Sequence, residues 1–298
     1  MIRVASPTVS AAAPRQVTSS RVVRLAWVVF CSVPPLFVLG ALFASAIQDD
    51  VVAFDFRVYY AAAEAVLRGD APYDFLDDPR AVLGRAYVYP PLTAIGVIPL
   101  TVLPLQAAGL LVMAVLAGAV LAIPYVIGVR DWRCYWVILL WPPVISAIQT
   151  SNPTLLFVLL AALAWRYRDH RVAAAASLGS TLAVKFVLWP LVVWLAATRR
   201  LGSAVLACVI GGLLVLLSWT TIGFAGLTGY PDLLRRLEDA IGQDAYTTYI
   251  LATDLGVPST LARALWLALG LLILAAVVWS ARRGDDIQAE ASRTTTLG

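Results

Sequence analysis

Residues 86–129 read AYVYPPLTAIGVIPLTVLPLQAAGLLVMAVLAGAVLAIPYVIGV, 44 positions without a formal charge. Whether this stretch crosses a bilayer once or twice decides the side on which every later segment lies. Pro90, Pro91, Pro99 and Pro104 crowd its first half. A proline inside a helix removes a hydrogen bond and clashes with the preceding turn. Leu92–Leu103 therefore reads as a short half-helix. Gln106–Val129 is long enough to span, since a crossing needs about 20 residues.

The rest of the chain has the same character. It holds 298 residues, 61% of them hydrophobic and 13% charged. Soluble domains carry roughly 25% charged residues. The mean hydropathy is +0.83, which calls for lipid as solvent and fits neither a soluble enzyme nor a nucleic-acid binder. Charges cut the chain into further apolar runs, because an intramembrane charge is costly. Leu25–Gln48, too long for a signal-peptide core, reads as a retained first span. Leu201–Gly223 and Ala264–Ala281 each make one more. Cys134–Trp165 is broken by Gln149-Thr-Ser-Asn-Pro153, and Val172–Thr198 has Lys185 at its middle. Each could be two short spans or a hairpin, and either way enters and leaves on one side. The sum is an all-α polytopic membrane protein of about eight transmembrane helices plus short half-helices. Cys31, Cys134 and Cys208, an odd number in apolar sequence, read as small core residues.

The charges also orient the chain. With the N-terminus in the cytoplasm, the inner segments hold 14 Arg against 5 acids, and the outer loops 7 Arg against 13 acids. That asymmetry is what the positive-inside rule requires. Residues 1–24 become a cytoplasmic tail, 25–281 one integral membrane domain with outer loops 48–90 and 224–263, and 282–298 a second cytoplasmic tail. The net charge of +4 leaves one basic residue outside these aqueous segments. It is Lys185, the single lysine among 22 basic residues.

Unusual polar residues collect on the outer side. Phe54-Asp-Phe-Arg-Val-Tyr-Tyr-Ala-Ala-Ala-Glu-Ala-Val-Leu-Arg-Gly69 reads as a helix closed by Gly69 and Pro72. It could lie at the membrane interface as an amphipathic helix, with Glu64 and Arg68 as an i, i+4 pair. Asp55, flanked by Phe54 and Phe56, is costly there unless partnered or used, although its first-turn position also suits the helix dipole. Lys185 could snorkel or hold a phosphate as a point charge. Gln149 and Asn152 could cap the helix after Pro153 or contact a sugar or lipid. No phosphate-loop, CxxC or zinc-helix pattern is present, and no metal or other cofactor is expected.

Several of these segments resemble glycosyltransferase family 87. Asp55-Phe-Arg-Val-Tyr-Tyr-Ala-Ala-Ala-Glu-Ala-Val-Leu-Arg-Gly with Pro72-Tyr73 is similar to the family's first outer loop. Tyr87-Val-Tyr-Pro-Pro-Leu92 is similar to its tyrosine-diproline entry to the next helix, Gln149-Thr-Ser-Asn152 to its Gln-x-x-Asn turn, and Leu182-Ala-Val-Lys185 with Pro190 to its Ala-Leu-Lys-x-x-Pro segment. The resemblance covers about residues 50–230. It implies a GT-C membrane fold and a mannosyltransferase drawing on a polyprenyl-phosphate sugar donor. The acceptor would be a glycolipid at the outer face of a bacterial plasma membrane. It implies that Asp55 is the general base of an inverting displacement and that Lys185 and Arg57 steady the leaving phosphate. Tyr59, Tyr60 and Tyr89 would pack the sugar or lipid. One departure is that a single span follows the second outer loop, where members have more. Two other readings use the same residues: a polyprenyl-phosphate-sugar flippase, since broken helices also mark transporter sites, and a non-catalytic membrane protein partner.

Overall fold

In the computed structural model, residues 17–48, 53–73, 86–241 and 247–296 are described. The N-terminal tail before Val17 and parts of both outer loops expected from the sequence lie outside them. Every regular element among the described residues is helical. The order is α1 (Val17–Gln48), α2 (Phe54–Leu67), α3 (Pro91–Val97) continued by a 3-10 turn (Ile98–Val102), α4 (Leu105–Ile127), α5 (Trp132–Leu139), α6 (Pro142–Thr150) and α7 (Thr154–Arg166). Then come α8 (Arg171–Val184), a 3-10 turn (Phe186–Leu188), α9 (Trp189–Ala197), α10 (Leu201–Thr221), α11 (Tyr230–Ile241), α12 (Thr248–Asp254) and α13 (Ser259–Thr296).

Among the described residues, four helices are long and apolar enough to cross a membrane: Leu25–Ser45 in α1, α4, α10 and Ser259–Ser280 in α13. This is a polytopic membrane protein. The backbone breaks the other apolar runs at three places, two of them the polar interruptions expected at Gln149–Pro153 and Lys185. Pro142 and Pro143 separate α5 from α6, the left-handed Ser151 ends α6, and the extended Lys185 ends α8. The pieces are short. The 14 residues of α8 reach about 21 Å at 1.5 Å per residue, against about 30 Å of hydrocarbon. The prolines of residues 90–104 act as expected, holding Pro91–Val102 to a short helix and a 3-10 turn before α4 begins.

The packing places α4 and α10 centrally and leaves α1 and α13 at the periphery. About a third of the α4 span is buried (33%) against 6% of the α13 span. The closest helix contact joins α8 to α10, which run parallel. A Cβ at Gly179 would come within 2.8 Å of the Ala207 carbonyl oxygen and 2.9 Å of Ile210 Cβ. Only glycine allows that approach, and it fixes the height of Lys185 one residue beyond the end of α8. Leu178, Trp194, Leu195 and Ala207 form the core there, and Met113, Leu116, Ile148 and Leu155 form a second under α4. Cys134 and Cys208 are exposed rather than buried in the core as expected. Arg68 bonds Asp70 at 3.4 Å instead of forming the expected pair with Glu64.

Candidate active site

The first outer helix is held at its start by backbone and packing. Ala53 adopts a left-handed conformation (φ 62) just before α2, and its N–H donates to the Gln149 carbonyl at 2.9 Å. Behind it lies Gly109 of α4, where a Cβ would sit 3.2 Å from Ala53 Cβ. Phe56, Tyr59 and Ala62 on the inner face of α2 are buried. That face packs on α3, α4 and α6, so α2 is docked on the bundle rather than lying free on a lipid surface. Asp55, one residue before Phe56, is thereby held half-buried beside the turn that follows α6.

That turn is built to meet it. Ser151 takes the left-handed position (φ 57) at the end of α6, and the Asn152 N–H bonds back to the Ala147 carbonyl at 2.8 Å. This closes the helix in the Schellman manner. The Asn152 side chain then bridges two elements. Its Oδ1 accepts from the Thr154 N–H at 3.0 Å and from Thr154 Oγ1 at 2.5 Å. Its Nδ2 donates to Asp55 Oδ2 at 2.7 Å. The orientation of the amide follows from the network: two donors from Thr154 require oxygen on that side, which turns the NH2 group to the carboxylate. Asn152 thus caps α7, one of the two readings its place in the sequence allows, and its amide also reaches Asp55.

The segment Tyr87-Val-Tyr-Pro-Pro forms the second wall. Tyr87 is buried; its hydroxyl donates to the Pro90 carbonyl at 2.6 Å and accepts from the Ala94 N–H at 3.0 Å. Tyr73 donates to the Tyr89 carbonyl at 3.1 Å, and Tyr230 of α11 to the Val88 carbonyl at 2.7 Å. Trp219 stacks on Tyr73 with centroids 5.3 Å apart and packs edge-on against Tyr230. So clamped, the Tyr89 ring meets the Tyr59 ring edge-on at 5.3 Å. Lys185 Nζ lies 6.0 Å from the Tyr89 centroid, at the limit of cation–π attraction. Burial is the first cause that pushes the Tyr59 hydroxyl well above its ordinary value, followed by the neighbouring Tyr89 and the Asp55 charge. Burial likewise pushes Tyr230 up to about 12. Both tyrosines are therefore neutral donors at ordinary pH.

The residues singled out from the sequence divide into two groups. Asp55, Asn152, Tyr59, Tyr89 and Lys185 come together as a continuous series, although they arise from four separate segments. Tyr60 points elsewhere: its hydroxyl donates to the Leu103 carbonyl at 2.9 Å, tying α2 to the end of the 3-10 turn. Gln149 contributes its backbone carbonyl to Ala53, while the residue itself is exposed. Arg57 is half-buried and projects about 200° around α2 from Asp55. Thr154, Tyr73, Trp219 and Tyr230 escaped the sequence reading as site residues. Only a Thr two positions after a capping Asn gave any signal. Among the described residues, no three His, Cys, Asp or Glu side chains gather as a metal site.

The geometry offers a carboxylate held by a fixed amide, a cation beside an aromatic face, and the Tyr59 and Tyr89 rings between them. That set can accept a proton and steady an anion. Compared with known proteins, the family model of glycosyltransferase family 87 matches residues 87–297. The match takes in the Asn152 turn, the Tyr89 loop and Lys185, and starts after the helix that bears Asp55. No curated protein and no solved structure gives a match.

Proposed function

The chain belongs to glycosyltransferase family 87, and on that premise we propose that it transfers mannose from a polyprenyl-phosphate donor to a glycolipid or other cell-envelope acceptor, with Asp55 as general base. A membrane glycosyltransferase needs a sugar donor and an acceptor. The observation that supports Asp55 in this role is its hydrogen bond from Asn152 (2.7 Å). The amide occupies Oδ2 and so directs Oδ1 toward the acceptor. In the reaction, the acceptor hydroxyl oxygen attacks the anomeric carbon while its proton passes to Asp55 Oδ1. The bond from the anomeric carbon to the phosphate oxygen breaks, and its electron pair leaves with polyprenyl phosphate. The single displacement inverts the anomeric centre, so a β-linked donor gives an α-mannoside. Phosphate is a good leaving group and needs no separate acid, but its negative charge benefits from a positive charge held in place. Lys185 supplies that charge, with Tyr59 and Tyr89 packing the sugar and Arg57 and Gln149 at the margin of the site.

The same reading places the site on the extracytoplasmic face of a bacterial plasma membrane, with both termini in the cytoplasm. It rests on the excess of arginine in the segments opposite Asp55. The test is transfer by the purified protein in nanodiscs, using polyprenyl-phosphate mannose of known β configuration and a glycolipid acceptor. Release of the product mannose by an α-mannosidase is expected. Movement of the carrier across vesicles without a new glycosidic bond would instead identify a flippase.

A further inference from the structure

At the other end of α8, remote from Lys185, three separate parts of the chain meet. The turn between α7 and α8 joins the turn between α9 and α10 through Asp169. Its Oδ1 accepts from Arg200 Nε at 2.9 Å and lies 2.8 Å from Arg200 Nη2. Arg171 lies across Gly202, where a Cβ would sit 3.3 Å from Arg171 Nε. Arg282 of α13 reaches the same place and donates from Nε to the Ala197 carbonyl at 3.2 Å. The first turn brings Arg166, Arg168 and Arg171, the second Arg199 and Arg200, and the third Arg282. Asp169 is the one acid in the two turns, paired with Arg200 and, at 4.0 Å, with Arg168; Asp285 and Asp286 come further along α13.

Two observations make this more than a charge bias. First, the arginines are bordered by exposed apolar side chains: Val172 and Leu201 are 69% and 62% exposed, and Trp165 lies under Arg168 at 5.3 Å while stacking on Trp194. A free anion would use the arginines alone. Cations beside a lipid-facing apolar surface match a molecule with a charged head and hydrocarbon tails. Second, Arg199 holds a left-handed backbone conformation (φ 62) while remaining exposed. Glycine or asparagine adopts that conformation with less strain. An arginine retained there against the backbone's preference points to use of its side chain.

We propose that this arginine-rich end is a binding site for an anionic phospholipid, its phosphate held among Arg171, Arg199 and Arg282 and its acyl chains lying along Val172 and Leu201. The site is separate from the sugar-transfer reading and stands whether or not that reading holds.

The test uses the full-length protein in nanodiscs of phosphatidylcholine alone and of phosphatidylcholine with phosphatidylglycerol. Native mass spectrometry reads the retained lipid and thermal unfolding reads stability. The wild type retains phosphatidylglycerol selectively and melts higher in its presence. Arg199→Gly and Arg171→Gln each weaken that retention by about fivefold, the effect of one cation near an anionic surface. Arg199→Gly melts no lower than wild type in phosphatidylcholine, so its loss of lipid cannot be ascribed to misfolding. Three results would overturn the site: unchanged phosphatidylglycerol retention in both variants, an equal loss in Arg235→Gln on α11, or the same rise in melting from inorganic phosphate.

Discussion

Asn152 Nδ2 donates to Asp55 Oδ2 at 2.7 Å, joining two residues 97 positions apart. Thr154 fixes the other side of the amide, so the donor cannot flip away without losing two hydrogen bonds. A hydrogen bond to a charged group is worth roughly 1.5–3 kcal/mol, which corresponds to about 10- to 100-fold in rate. Asn152→Ala therefore lowers kcat by about that factor with little change in KM, because the acceptor and donor contacts remain. Thr154→Val loses part of the same effect and Thr154→Ser retains the hydroxyl and the rate. A fall in both kcat and expression level for all three variants would point to a structural cap alone.

Lys185 ends α8 within reach of the Tyr89 face. If it steadies the leaving phosphate, Lys185→Met lowers kcat by about 100- to 1,000-fold, the usual loss for one electrostatic stabiliser of a developing charge. Arg has a planar fork in place of a compact ammonium, so Lys185→Arg recovers only part of the rate. Steady-state transfer with saturating donor reads both. Unchanged kcat in Lys185→Met would remove the residue from the site.

Gly179 sets the approach of α8 to α10. Gly179→Ala places a Cβ 2.8 Å from the Ala207 carbonyl oxygen and destabilises the protein by about 1–3 kcal/mol through overpacking. Lys185 moves with the end of α8, so the transfer rate falls with stability. Gly212, on the same helix as Ala207, has nothing within 4 Å of its would-be Cβ. Gly212→Ala is therefore neutral or stabilising. Thermal unfolding in one detergent distinguishes the two.

Ser151 occupies a left-handed position that suits glycine, and its buried Oγ has no hydrogen-bond partner among the described residues. Ser151→Gly relieves both and raises stability by about 1 kcal/mol. A lower melting temperature in Ser151→Gly would show that the hydroxyl is satisfied in the working protein.

Alkaline stability reports the clamp on the Tyr89 loop. Burial raises Tyr230 from the ordinary 10.0 to about 12, with Tyr89 adding to it. Below pH 10 the hydroxyl is protonated in both folded and unfolded chains, and its contribution is complete. Between about pH 10 and 12 the unfolded chain loses the proton first, so stability falls as pH rises through that window. Tyr230→Phe flattens this part of the curve. It is also less stable at pH 8, since the Val88 carbonyl loses its donor at 2.7 Å.

The sequence disclosed much of the framework because single-residue physics dictates it. The proline-rich half-helix, the span at Leu105–Ile127, the breaks at Ser151 and Lys185, and the helix from Phe54 to Gly69 all follow from prolines, charges and polar interruptions in apolar runs. Whether the interrupted runs 134–165 and 172–198 make short spans or hairpins did not follow, because run length alone cannot tell the two apart. Within the site, Asp55, Asn152 and Lys185 stood out because polar groups are costly in apolar surroundings. Tyr73, Trp219 and Tyr230 did not, since aromatic residues are ordinary in a membrane protein and their mutual stacking depends on tertiary packing. Tyr60 looked equivalent to Tyr59 in sequence, but one position around α2 sends its hydroxyl to Leu103 instead of toward Tyr89.

The most direct measurement is single-turnover transfer of labelled mannose from polyprenyl-phosphate mannose by wild type and Asp55→Asn in matched nanodiscs. Asparagine keeps the shape but is a far poorer proton acceptor, and general-base catalysis contributes about 100- to 10,000-fold. A fall of that size with donor binding retained is the expected result. Transfer by Asp55→Asn at the wild-type rate would contradict the assignment of Asp55 as the base.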